Sequence, residues 1–269
     1  MTYSEDNIQE LDKKYLEVLP TFSKLMSELS MLSGTLQNER AREYLAHGVM
    51  RRISIITRCI ENIFVIYPPD RTNKLTKEER NDVCVNLHSF FINIAGILDN
   101  IAWVIAFEVG AYIDQSNRKV HRNDVNLFGK RFKRYVPAKI KAFLKQQTIT
   151  DWYLKYSKNY RDALAHRIPL YVPPAILNAK EAEEYKRLEE SIASLNLASI
   201  EGQEKWTEIM GRQRALGTAQ PLFTHSVHPD EEGGAVYLHP QILADFETIK
   251  SIVEVLTALD IANLEGNEE

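Results

Sequence analysis

The sequence predicts an all-α protein: an antiparallel helical bundle with an inserted helical arm and a small β-hairpin. Three observations predict it. Apolar residues recur at helical spacing through most of the 269 residues. Strong helix punctuation divides these stretches, notably Pro68-Pro69, Thr76 with Glu79 three residues on, and Pro169. Strand-like segments are confined to Pro221–Val227 and Ala235–His239, around a turn containing Asp230 and Gly233-Gly234.

Taken in order, residues 1–36 read as one or two amphipathic helices, with Leu11, Tyr15, Val18 and Leu19, then Phe22, Leu25, Met26, Leu29 and Leu32 along the apolar side. Pro20 marks a break or a helix start, and Ser33-Gly34 closes the segment. A core follows over 37–173. Its first helix spans about 38–66, with Ile53, Ile56, Ile60 and Ile63 facing inward, and Pro68-Pro69 stops it. Its partner begins at Thr76 with a capping box and reaches about Tyr112, so the two form an antiparallel hairpin. Residues 174–238 read as an insertion, made of a charged helical arm over 178–216 and then the hairpin. Residues 239–269 return to the bundle as a last helix with Pro240 at N1, followed by an acidic tail.

The stretch Ser89–Phe107 is apolar nearly all round and long enough to suggest a membrane span. Asn93, Asp99 and Asn100 argue for a central core helix instead, because lipid would leave them without partners. Inside a bundle the same groups need hydrogen-bond partners. Asp99 is placed to meet a guanidinium from the helix carrying Arg161.

Two cysteines without a Cys-x-x-Cys pair exclude a disulfide framework and a thiolate zinc site, and fit a reducing, cytoplasmic setting. The start, Met1-Thr2-Tyr3-Ser4-Glu5-Asp6, lacks the basic and apolar regions of a signal peptide. A net charge of −4 hides an uneven distribution. From Arg118 to Arg167 there are fourteen Lys or Arg against three acids, a local excess of +11, which leaves −15 on the remainder. Such a segment can form a positive face for phosphates, or a solvated helical surface. Within it Arg131 and Arg134 alternate with Phe128, Phe132 and Tyr135. That pattern suits single-stranded RNA, and it also describes a loop whose aromatics dock into the core.

Chemistry concentrates at the end of the helix predicted over about 150–167. Arg161 and His166 are separated by four residues, Asp162 precedes His166 by about one turn, and Pro169 ends the helix soon after. This Arg-x(4–6)-His pattern in an all-helical chain resembles the HEPN domains, small helical bundles of which many are metal-independent endoribonucleases and others are inactive binding modules. The resemblance implies a homodimer with two motifs facing each other across a cleft, and a toxin or defence effector with an antitoxin partner. In HEPN ribonucleases the residue after the arginine is most typically Asn, so Asp162 departs from the commonest choice.

In that chemistry His166 transfers protons near neutral pH, Arg161 grips phosphate through its planar fork, and Asp162 orients His166. Arg167, Lys158, Arg131, Arg134 and Asp99 are the candidate substrate-binding residues. Five residues at roughly 100° each set Arg161 and His166 about 140° apart on an ideal helix, so the helix must loosen, the arginine must reach round, or a second protomer must contribute. The pattern recurs at Arg42-Glu43-Tyr44-Leu45-Ala46-His47, inside a long helix with no stop nearby, and this copy is taken as accidental. The competing expectation is a non-catalytic module that binds nucleotide, RNA or protein and uses the same polar residues structurally.

His225, His228 and His239, with Asp230, Glu231 and Glu232, form the remaining constellation. His-x-x-His at a strand end suits zinc, but no spacing rule fixes the other ligands, so no metal site is assigned. No nucleotide-binding glycine motif or nucleophile elbow is present, and no cofactor is expected.

Overall fold

The computed structural model describes residues 3–225 and 234–259. Ser4 caps helix α1 (Glu5–Leu16) by accepting from Asn7 N, and one residue, Glu17, separates it from α2 (Val18–Thr35). The break expected at Pro20 falls at Glu17, and Pro20 lies in the first turn of α2, where its missing N–H costs no helical bond. Asn38 caps α3 (Glu39–Glu43), which continues without interruption through a π-helical segment, Tyr44–Met50, into α4 (Arg51–Ile66).

The predicted capping box forms at Thr76: its hydroxyl accepts from Glu79 N (3.1 Å) and Glu79 accepts from Thr76 N (2.8 Å). Helix α5 (Lys77–Glu108) runs antiparallel to α4 and carries most of the core, including Leu87, Phe90, Phe91, Ile94, Ile97, Ile101 and Ile105. It ends four residues before the predicted Tyr112, because Gly110 turns the chain at φ +63° and Ala111 N donates back to Ala106 O (2.9 Å). The helix is apolar and long enough to cross a membrane, yet two-thirds of its most apolar window is buried against the other helices.

The chain then loops through two 3₁₀ turns, Arg122–Asp124 and Lys133–Tyr135, to α6 (Ala138–Leu144). The motif helix is α7 (Gln147–Trp152), a second π-helical segment (Tyr153–Ser157) and α8 (Lys158–His166), continuous through all three. The inserted arm is a pair of helices, α9 (Ala179–Ala193) and α10 (Ile200–Ala215). Its base is fixed to the bundle by Lys74 Nζ, which donates to Arg214 O (2.8 Å).

Strands β1 (Leu222–His225) and β2 (Gly234–Tyr237) pair antiparallel, with Leu222 opposite Tyr237. The expected end of the first strand, Val227, lies outside the described residues. The second strand gives way at once to α11 (Leu238–Thr257), so His239 is helical rather than extended and Pro240 is the third helical residue rather than N1. Helices α1, α2, α4 and α5 all pack on α11, so residues 3–36 belong to the same bundle as the core.

Candidate functional site

The motif helix is held from behind. Trp152 and Tyr160 are buried, Trp152 Nε1 donates to Asp245 Oδ1 of α11 (2.7 Å), and Tyr160 lies against Phe91 of α5 with ring centres 4.5 Å apart. Asp245 is fully buried and its other oxygen has no protein partner. Burial pushes this carboxyl up to about 7, against the pull of Trp152 and Gln241. His88 Nε2 donates to Leu170 O (2.7 Å) and Tyr171 bridges to Thr224, which fixes the chain where it leaves the helix.

With the back pinned, the polar residues face outward. His166 is the last helical residue and is exposed, with no hydrogen bond or ion pair to another described residue. Arg161 and Asp162 are half-buried neighbours: Arg161 Nε lies 2.8 Å from Asp162 Oδ1, at an angle too bent for a hydrogen bond. The expected pairing of Asp162 with His166 is therefore not formed. The adjacent guanidinium is closer to the carboxylate than the imidazole, which sits on the last helical residue. Arg167 leaves the helix in an extended conformation and is exposed.

Arg161 and Lys158 line a small recess with Asp99 and Leu98 of α5 and with Asn126, Phe128 and Tyr153. Asp99 reaches solvent beside them. Partial desolvation raises its carboxyl above the usual range, while Arg161 and then Arg52 draw it down. The structure thus brings Arg161, Lys158 and Asp99 together, with His166 and Arg167 one to two turns further along.

Arg131 and Arg134 stand apart from that group. Arg131 pairs with Asp124 (3.1 Å), and Arg134 stacks over Tyr135 at 4.8 Å. Lys119, His121, Lys130, Arg131 and Arg134 share a surface cleft. The aromatics interleaved with them are not free platforms for bases. Phe132 is fully buried, Phe128 stacks on Tyr153 with ring centres 3.7 Å apart, and Tyr135 donates to Lys119 O (3.1 Å). Of the two expectations for this loop, docking into the core describes its aromatics.

The histidine constellation is not assembled among the described residues. His239 is fully buried; its Nε2 donates to Tyr67 O (2.7 Å) and its Nδ1 accepts from Tyr3 (3.2 Å), so neither nitrogen is open to a metal. Burial lowers it to about 4. His228, Asp230, Glu231 and Glu232 lie outside the described residues. No group of three His, Cys, Asp or Glu that could hold a metal occurs among the described residues, and Cys59 and Cys84 are free thiols.

One group escaped the sequence reading. Asn93 and Asn100, expected to find partners inside the bundle, both accept from Arg52 of α4. The available signal was Arg52 one residue from the apolar face of α4, opposite the polar residues of the central helix. Compared with protein-family models, with curated proteins and with solved structures, the chain matches none.

Proposed function

We propose that this protein is a metal-independent endoribonuclease of HEPN type that works as a homodimer in the cytoplasm, in a toxin or defence setting with an antitoxin partner. The observation that carries the reading is the exposed imidazole of His166 at a helix end, without a partner among the described residues, five residues on from the half-open guanidinium of Arg161. A buried, fully bonded pair would have removed it.

In the proposed reaction the ribose 2′-oxygen gives up its proton and attacks the adjacent phosphorus. The bond to the 5′-oxygen breaks, and that oxygen takes a proton, leaving a 2′,3′-cyclic phosphate. One imidazole serves as base or acid, and the facing His166 of a second copy supplies the complementary role. Arg161, half-exposed with its Nε buried against Asp162, offers the outer nitrogens of its fork to the phosphorane charge. Asp162 then acts on Arg161 rather than on His166. Lys158, Arg167 and the cleft containing Arg131 and Arg134 add positive charge along the strand's approach.

The test is cleavage of mixed RNA in EDTA by wild type and His166→Ala. Cleavage by wild type, lost in the variant at unchanged melting temperature, supports the enzyme. Equal background from both leaves the non-catalytic binding module, and loss accompanied by a lowered melting temperature makes His166 a structural rather than a catalytic residue.

A further inference from the structure

We propose that the cleft between the Tyr44–Met50 segment and α5 is an oxyanion site that takes the phosphate ester of a nucleotide or polynucleotide, with Arg52 as its anchor. Arg52 Nε donates to Asn100 Oδ1 (3.0 Å) and its Nη1 to Asn93 Oδ1 (2.8 Å). Asn93 is itself oriented by its Nδ2, which donates to Ser89 O (2.7 Å). Two neutral amides therefore fix the guanidinium plane without cancelling its charge, and among the described residues Arg52 forms no ion pair.

Two glycines allow this placement. A Cβ at Gly96 would fall 2.5 Å from Arg52 Cζ, and one at Gly48 would fall 2.7 Å from Asn100 Cγ. The guanidinium lies flat on the backbone of α5, and the helix bearing Gly48 approaches close enough to close the cleft floor.

A guanidinium has five N–H donors, so three of Arg52's remain once the amides are served. They open onto a cleft of about 470 Å³ that Arg51, His47 and Tyr44 also line. Arg51 and His47 are exposed. Glu43 in the lining offsets one positive charge, and Asp99, whose carboxyl Arg52 also draws down, stands outside it, so the lining itself sets Arg51 and Arg52 against one acid. A fixed fork with unspent donors, flanked by a second arginine and an imidazole, matches a tetrahedral oxyanion. The π-helical segment that carries His47 and Gly48 sets them against the cleft, as wide turns often do at binding sites.

The site does not depend on His166, and calorimetry on the full-length His166→Ala protein separates the two. The probes are inorganic phosphate, AMP, adenosine, and a 2′-O-methyl oligonucleotide that cannot be cleaved. Binding of phosphate or AMP but not adenosine identifies a free phosphate ester as ligand, and binding of the oligonucleotide alone identifies a polynucleotide backbone. In either case His47→Ala/Arg51→Ala, which alters exposed residues only, weakens binding about tenfold or more at unchanged melting temperature. Arg52→Lys, which keeps the charge and loses the fork, weakens it comparably. The proposal is overturned if no phosphate-bearing probe binds. It is equally overturned if binding survives both cleft variants, or falls only in Arg161→Ala.

Discussion

The chain carries the same five-residue step from arginine to histidine twice, on two helices that pack against α5, and the structure treats the two copies differently. In the first, Arg42 donates to Leu36 O (2.8 Å) and ties the end of α2, while His47 lies mid-helix at the edge of the Arg52 cleft. In the second, Arg161 and His166 both remain at the surface and the helix stops at the histidine. Identical spacing therefore specifies nothing by itself. What differs is whether the arginine is tied to a backbone carbonyl or lies against a neighbouring carboxylate, and whether the helix ends at the histidine; only the second copy ends its helix there.

The largest expected effect tests that contrast. At saturating RNA, His166→Ala should lower the cleavage rate by about two to four orders of magnitude, the range for losing a general acid or base, while His47→Ala, at a residue that lines a binding cleft, changes that rate by no more than a few-fold. A fluorogenic RNA assay in EDTA reads both, and the reverse ranking would make the first copy the reactive one.

Next in size are the buried groups behind the second copy. Asp245, raised to about 7 from 3.8, takes up a proton on folding, so it lowers stability as pH rises from about 4 to about 7. His239, lowered to about 4 from 6.5, does the opposite and lowers stability as pH falls through that interval. The two slopes offset each other in the wild type. Asp245→Asn keeps an acceptor for Trp152 and removes one slope. It should be more stable than wild type at pH 8 by about 2–4 kcal/mol, with the gap closing below about pH 4. Urea titrations across pH check this. A variant that tracks wild type at every pH would deny the buried carboxyl its cost.

Behind the first copy, Gly96→Ala pushes Arg52 off the backbone of α5 and should cost about 1–3 kcal/mol, measurable as a lower urea midpoint. The smallest effect belongs to the surface pair Arg131 and Asp124. Arg131→Ala should change stability by less than about 1 kcal/mol, and a larger loss would mean the loop depends on that contact.

Much of the bundle was legible in the sequence because its signals are local. The Thr76 and Glu79 capping box, the stop at Pro68-Pro69, the apolar period of α4 and the pairing of β1 with β2 each depend on residues close in sequence. The candidate site was legible only as a pattern. The spacing located Arg161 and His166 at a helix end, where the structure leaves His166 exposed and Arg161 half-buried. It could not indicate that Asp162 would turn to Arg161, because that choice depends on side-chain geometry at the last turn. Arg52 went unread because its partners are 41 and 48 residues away. The aromatics of the basic loop were ambiguous for a similar reason: Phe128 meets Tyr153 and Phe132 enters the core through contacts no local pattern encodes. Neither π-helical segment leaves a mark in composition.

Those two wide turns have a consequence for how such a chain can change. A π turn accommodates one residue more than the α pitch allows, so removing a single residue from Tyr153–Ser157 would restore regular winding while the helix on either side keeps its bearing. Arg161, Asp162 and His166 would hold their place relative to Trp152, moored to Asp245, whereas the same deletion within α8, where no residue is in excess, would turn His166 by about 100°. The aim of the reactive end thus tolerates the loss of one residue at the wide turn and not beyond it.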